Sequence, residues 1–66
     1  MIEEIGRVAG EVWAHLNKNG ETTLAQLKRK VSGGADLVNL AVGWLAREEK
    51  LTFDKKGRTI KVALKE

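Results

Sequence analysis

The sequence predicts an α+β domain, three helices followed by a C-terminal β-hairpin, and three observations lead there. Apolar residues recur every three or four positions as far as Leu45, the spacing of one stripe of a helix. After Leu51 the period falls to two, the spacing of a strand with one covered face. Glycines stand at the joints, at Gly20, Gly33, Gly34 and Gly57, where a turn favours a residue without a Cβ.

The first helix rests on Ile2, Ile5, Val8, Ala9, Val12, Trp13 and Leu16, which form one stripe opposite Glu4, Arg7, Glu11 and Lys18. It should stop at Asn19-Gly20, where glycine takes the left-handed cap. A short extended piece, Glu21-Thr22-Thr23, follows, and Thr23-Leu24-Ala25-Gln26 fits a capping box. The second helix then turns Leu24, Leu27 and Val31 inward and Lys28, Arg29 and Lys30 largely outward. Ser32-Gly33-Gly34 reads as a tight turn. Asp36 in the first turn of the third helix suits the dipole, and the pattern runs to about Lys50. Leu51 and Phe53 on one strand and Ile60, Val62 and Leu64 on the next alternate with polar neighbours, so the apolar face of the hairpin should lie on the helices. Gly6 and Gly10, inside the first helix, read equally as the mark of a close neighbour or as tolerated weak points.

With 66 residues, 42% of them apolar, the chain reads as a single domain, residues 1–66, with one core and little room for a buried pocket. A domain this small buries only about 60% of the surface its unfolded chain exposes, so its stability is marginal unless something adds to it. With no cysteine there is neither a disulfide nor a thiolate metal site, and the lone His15 makes no metal cluster; oligomerisation is the remaining addition. One serine, one histidine and no tyrosine leave almost no candidates for an activated nucleophile, and Glu48 and Glu49, adjacent on a helix, point different ways. No catalytic residue, metal, cofactor or small-molecule ligand is expected. No apolar run approaches the roughly 18 residues of a membrane span, and the acidic start Met1-Ile2-Glu3-Glu4 is unlike a secretory signal, so a cytoplasmic protein is expected.

The net charge of +3 is laid out unevenly. Residues 1–17 carry −2 (Glu3, Glu4 and Glu11 against Arg7), and residues 18–34 carry +3 (Lys18, Lys28, Arg29 and Lys30 against Glu21). Residues 35–54 return to −2 (Asp36, Glu48, Glu49 and Asp54 against Arg47 and Lys50). The tail from residue 55 carries +4 (Lys55, Lys56, Arg58, Lys61 and Lys65 against Glu66). Which segment would meet a nucleic acid therefore matters more than the total.

Helix, short strand, threonine-capped helix, Ser32-Gly33-Gly34 turn, helix and basic hairpin follow one another in this order. Together with Val38, Val42, Leu45 and Leu51 leading into the first strand, this order resembles a winged helix-turn-helix domain over the whole chain. The length resembles that of the small stand-alone prokaryotic winged-helix proteins of unknown function. The resemblance implies that the third helix is the recognition helix of a DNA-binding fold and the hairpin its wing. Val38, Ala41, Val42 and Leu45 then map to the core side, leaving Asp36, Asn39, Leu40, Gly43, Trp44 and Arg47 on the groove-facing side, with Leu37 at its margin. Of these only Asn39 and Arg47 suit base contacts, and the segment's −2 charge opposes phosphate.

The apolar residues of the third helix span roughly 200° at 100° per residue, far more than one core stripe needs. Two readings follow: Leu40 and Trp44 tuck sideways against the rest of the fold, or they form a self-complementary patch with Gly43 permitting close approach. The favoured expectation is a homodimer, or another protein contact, through Leu37, Leu40, Gly43, Trp44 and Arg47. The alternative is a DNA-binding transcriptional regulator contacting phosphates through Lys28, Arg29, Lys55, Lys56 and Arg58 and bases through Asn39 or Arg47. A third is a docking subunit for another protein. Lysine-rich hairpins also protect edge strands from sheet-to-sheet pairing, a role that Lys61 and Lys65 fit. An anion nest at Ser32-Gly33-Gly34 is opposed by Asp36.

Overall fold

Opposite charge at its two ends and one apolar stripe make residues 2–19 a helix. In the computed structural model, which describes residues 1–65, α1 spans Ile2–Asn19 with Glu3 and Glu4 in its first turn and Lys18 in its last. It ends where expected, but Gly20, at φ 79° and ψ −159°, takes an extended positive-φ conformation in place of the left-handed cap. Its N–H donates to the Leu16 carbonyl at 2.8 Å, and the Asn19 side-chain amide donates to the His15 carbonyl at 3.1 Å. Strand β1 (Thr22–Thr23) leads directly into α2 (Leu24–Lys30). Thr23 serves both, as the last residue of the strand and as the N-cap whose Oγ1 accepts the Gln26 N–H at 3.1 Å. Among the described residues only this half of the capping box forms.

Helix α3 (Gly34–Arg47) starts from Gly33 in a left-handed conformation, φ 104°. A Cβ on Gly33 would stand 2.9 Å from Val8 Cγ2, so any side chain there would have to push Val8 aside as well as take up a strained backbone. The Ser32 hydroxyl donates to both Glu11 carboxylate oxygens at 2.8 and 3.0 Å, tying the same turn to α1, and Arg7 pairs with that carboxylate at 2.7 Å. Helix α3 stops at Arg47 instead of running to about Lys50. The Glu49 N–H donates to Ala46 and the Lys50 N–H to Leu45, both at 3.0 Å, while Glu49 takes φ 59°. This is a Schellman closure with glutamate where glycine usually stands.

Strands β2 (Leu51–Lys56) and β3 (Thr59–Leu64) form the hairpin, and β1 pairs with the other side of β3, giving the order β1-β3-β2 with antiparallel neighbours. Lys56 lies opposite Thr59, so the turn has only two central residues, Gly57 and Arg58, and Gly57 has φ 60° at the first of them, as in a type II′ hairpin. This sheet covers one end of a core built from Val8, Val12, Leu16, Leu27, Val38, Ala41, Leu45, Leu51 and Val62. The expected inward side of α3, Val38, Ala41, Val42 and Leu45, is buried.

Three expectations are corrected. Ile2 and Trp13 leave the core stripe of α1, at 84% and 44% exposure, because that stripe continues past the arc that α3 covers. Phe53 is half-exposed although it sits opposite the fully buried Val62, because β2 is the outer strand and rests on the core only at its Leu51 end. Lys61 lies on the central strand, between Thr23 and Asp54, so it protects no edge. Gly6 and Gly10 have no neighbour within 4 Å of an added Cβ, so among the described residues none packs closely over α1 there.

Candidate functional site

The outer face of α3 carries Asp36, Asn39, Leu40, Gly43, Trp44 and Arg47, all exposed, with Leu37 half-buried against the core. Leu40 and Trp44 are 47% and 48% exposed, so neither tucks fully beneath the hairpin or α1. Their surroundings extend the apolar surface beyond what the sequence pattern indicated. Trp44 lines a shallow cleft with Gly6, Gly10 and Trp13 of α1, and a second with Ile2, Ile5 and Gly6. The outward shelf of α1 and Trp44 of α3 thus share one largely apolar surface, with Lys50 among the residues lining it and Leu40 one turn away from Trp44 along α3. Ile2, Gly6, Gly10 and Trp13 were absent from the expected site. The signal that finds them is their place on the α1 wheel: at 100° per residue they occupy about 80°, directly beside the buried arc.

The basic candidates separate. A cleft of about 510 Å³ between α2 and the hairpin is lined by Thr23, Lys28, Arg29, Arg58 and Thr59, among others, and brings together three of the five expected phosphate contacts. Lys55 and Lys56 stand outside it. Lys55 lies opposite Ile60 and Lys56 opposite Thr59, so the two alternate between the faces of the hairpin instead of forming one cluster. Asn39 and Arg47 are accessible on α3, but the surface between them is Leu40, Gly43 and Trp44. Among the described residues no three or more His, Cys, Asp or Glu side chains come together in a way that would hold a metal ion, and no helix is long and apolar enough to cross a membrane.

A capped helix, a glycine turn, a second helix packed on the first, and a hairpin whose central strand also pairs with a short strand before the turn together make a specific arrangement. Residues 1–64 match a family described as "Winged helix-turn-helix domain (DUF2582)". The chain belongs to this winged-helix family. A relative, the uncharacterized protein MJ1608 of Methanocaldococcus jannaschii, is 37% identical over 68 residues, covering 98% of this chain and 96% of its own. The solution structure of protein BT2368 from Bacteroides thetaiotaomicron superposes with a TM-score of 0.81 at 37% identity, covering 94% of this chain and 76% of that one. The crystal structure of AF1382 from Archaeoglobus fulgidus, at 14% identity and a TM-score of 0.70 over 100% of this chain and 72% of its own, shares the fold. In winged-helix terms α3 occupies the position of the recognition helix and β2–β3 that of the wing.

Proposed function

We propose that this winged-helix protein is a non-enzymatic homodimeric interaction module whose recognition helix contacts protein instead of reading bases. The observation that carries the proposal is the half-exposed pair Leu40 and Trp44, continuous with the open α1 shelf at Ile2, Gly6 and Trp13. Two large side chains on one helix face, flanked by glycines that leave room for a close approach, suit a protein interface, where tryptophan is a frequent anchor. The same face suits a DNA groove poorly, since a leucine, a glycine and a tryptophan offer little to phosphates or to most base edges. A sedimentation measurement at tens of micromolar tests the proposal: a two-chain mass is expected, and a one-chain mass overturns it.

A second reading has an observation of its own. Lys28, Arg29 and Arg58 share the cleft between α2 and the wing, which suits the phosphate backbone of a nucleic acid. On this reading, binding to duplex DNA weakens as salt rises and weakens uniformly across sequences when Lys28, Arg29 and Arg58 become alanine. The absence of duplex binding at low salt would remove it.

A further inference from the structure

Asp36, Leu40, Gly43 and Arg47 lie along one line of the outer surface of α3, within about 60° of one another at 100° per residue. The line is antisymmetric about its midpoint, between Ala41 and Val42. An acid stands at one end and a base at the other, roughly 16 Å apart along the helix axis, with leucine and glycine on either side of the centre. Asp36 and Arg47 are both exposed, and neither has an ion-pair partner among the described residues. An added Cβ on Gly43 would meet nothing within 4 Å, so the space above it is open.

We infer that two copies pair antiparallel along α3 about a two-fold axis, with Asp36 of each copy against Arg47 of the other and Leu40 of each seated over Gly43 of the other. This rests on the proposal that α3 is the contact between copies and adds its direction and register. The charges choose the direction: a parallel pairing would set aspartate on aspartate and arginine on arginine, whereas the antiparallel one satisfies both ends twice. The small residue favours the register, because the open space above Gly43 seats the Leu40 side chain of the other copy and lets the two helices approach at the close end of the usual range of about 8–10 Å. A two-fold interface is self-complementary by construction, and this line meets that condition within a single helix. An axis perpendicular to the plane of the paired helices also brings the Trp44 flanks of both copies to the same side of the seam. There they meet the two α1 shelves.

The test is sedimentation equilibrium of the full chain, the single variants Asp36→Arg and Arg47→Asp, the double variant D36R/R47D, and Gly43→Leu, each checked for helical content by circular dichroism. Each single reversal creates two like-charge contacts in the dimer and is expected to weaken it at least tenfold. The double variant should return to within about threefold of the parent. Both reversals also oppose the helix dipole, so a merely structural effect would make the double variant the weakest of the series. Gly43→Leu removes a helix-weakening glycine yet fills the seat of Leu40, so it should leave the fold intact and abolish dimerisation. A dimeric parent whose double variant is no stronger than the singles, or whose Gly43→Leu variant still dimerises, overturns the antiparallel register and leaves the α3 interface standing. A monomeric parent overturns both.

Discussion

Gly33 carries the tightest constraint at the scale of single residues. Its φ of 104° disfavours any L side chain, and Val8 Cγ2 lies 2.9 Å from where its Cβ would be, so strain and overlap act together. Gly33→Ala should lower stability by about 2 kcal/mol, read as a lower midpoint in thermal or urea unfolding. Glu49 presents the opposite case. It holds the left-handed position of the α3 cap at φ 59°, and among the described residues its side chain pairs only with exposed Lys65 at 3.6 Å. Such contacts contribute little, so Glu49→Gly should stabilise the protein by about 1 kcal/mol, raising Tm by roughly 4–8 °C for a domain of this size. An unchanged or lower Tm would mean that the Lys65 contact outweighs the backbone strain.

Among the elements, α1 and the turn before α3 are joined by packing and by the bonds from Ser32 to Glu11, which is also paired with Arg7. Ser32→Ala should cost about 1 kcal/mol in chemical unfolding, with Arg7–Glu11 left in place. The extent to which elements were legible in the sequence follows from which interactions are local. The α3 core face, Val38, Ala41, Val42 and Leu45, was readable because a helical period maps directly onto one buried side. The outward positions of Leu40, Gly43 and Trp44 followed from the same wheel. The end of α3 was not readable, since Glu49 adopts a conformation that the residue type disfavours and that the start of β2 at Leu51 requires. The wider apolar surface was also missed. How far the α1 stripe is covered depends on where α3 lies across it, and that leaves Ile2 and Trp13 in the open. Likewise, the pairing of β1 with β3 is a long-range choice that puts Lys61 on the central strand and leaves β2 and Phe53 outside. The basic residues could be named from the sequence, but only the fold decides that Lys28, Arg29 and Arg58 share a cleft while Lys55 and Lys56 part across the hairpin.

For the whole molecule, size and surface act together. A standard protein interface takes about 800 Å² from each partner, about a sixth of this protein's 4645 Å² of accessible surface. Covering that much of a chain with a small core and no disulfide should couple folding to association, so Tm should rise with protein concentration over a hundredfold range. A Tm independent of concentration would separate stability from assembly. The recognition helix would then be free for another partner, and the cleft at Lys28, Arg29 and Arg58 would become the leading surface. The most direct test is the mass of the parent and of Trp44→Glu by sedimentation equilibrium at tens of micromolar. A charge at the centre of the shared apolar surface should convert a two-chain parent into a one-chain variant that keeps its helical content. A parent of one chain, or two chains in both proteins, would contradict the assignment of the α3 face as the interface between copies.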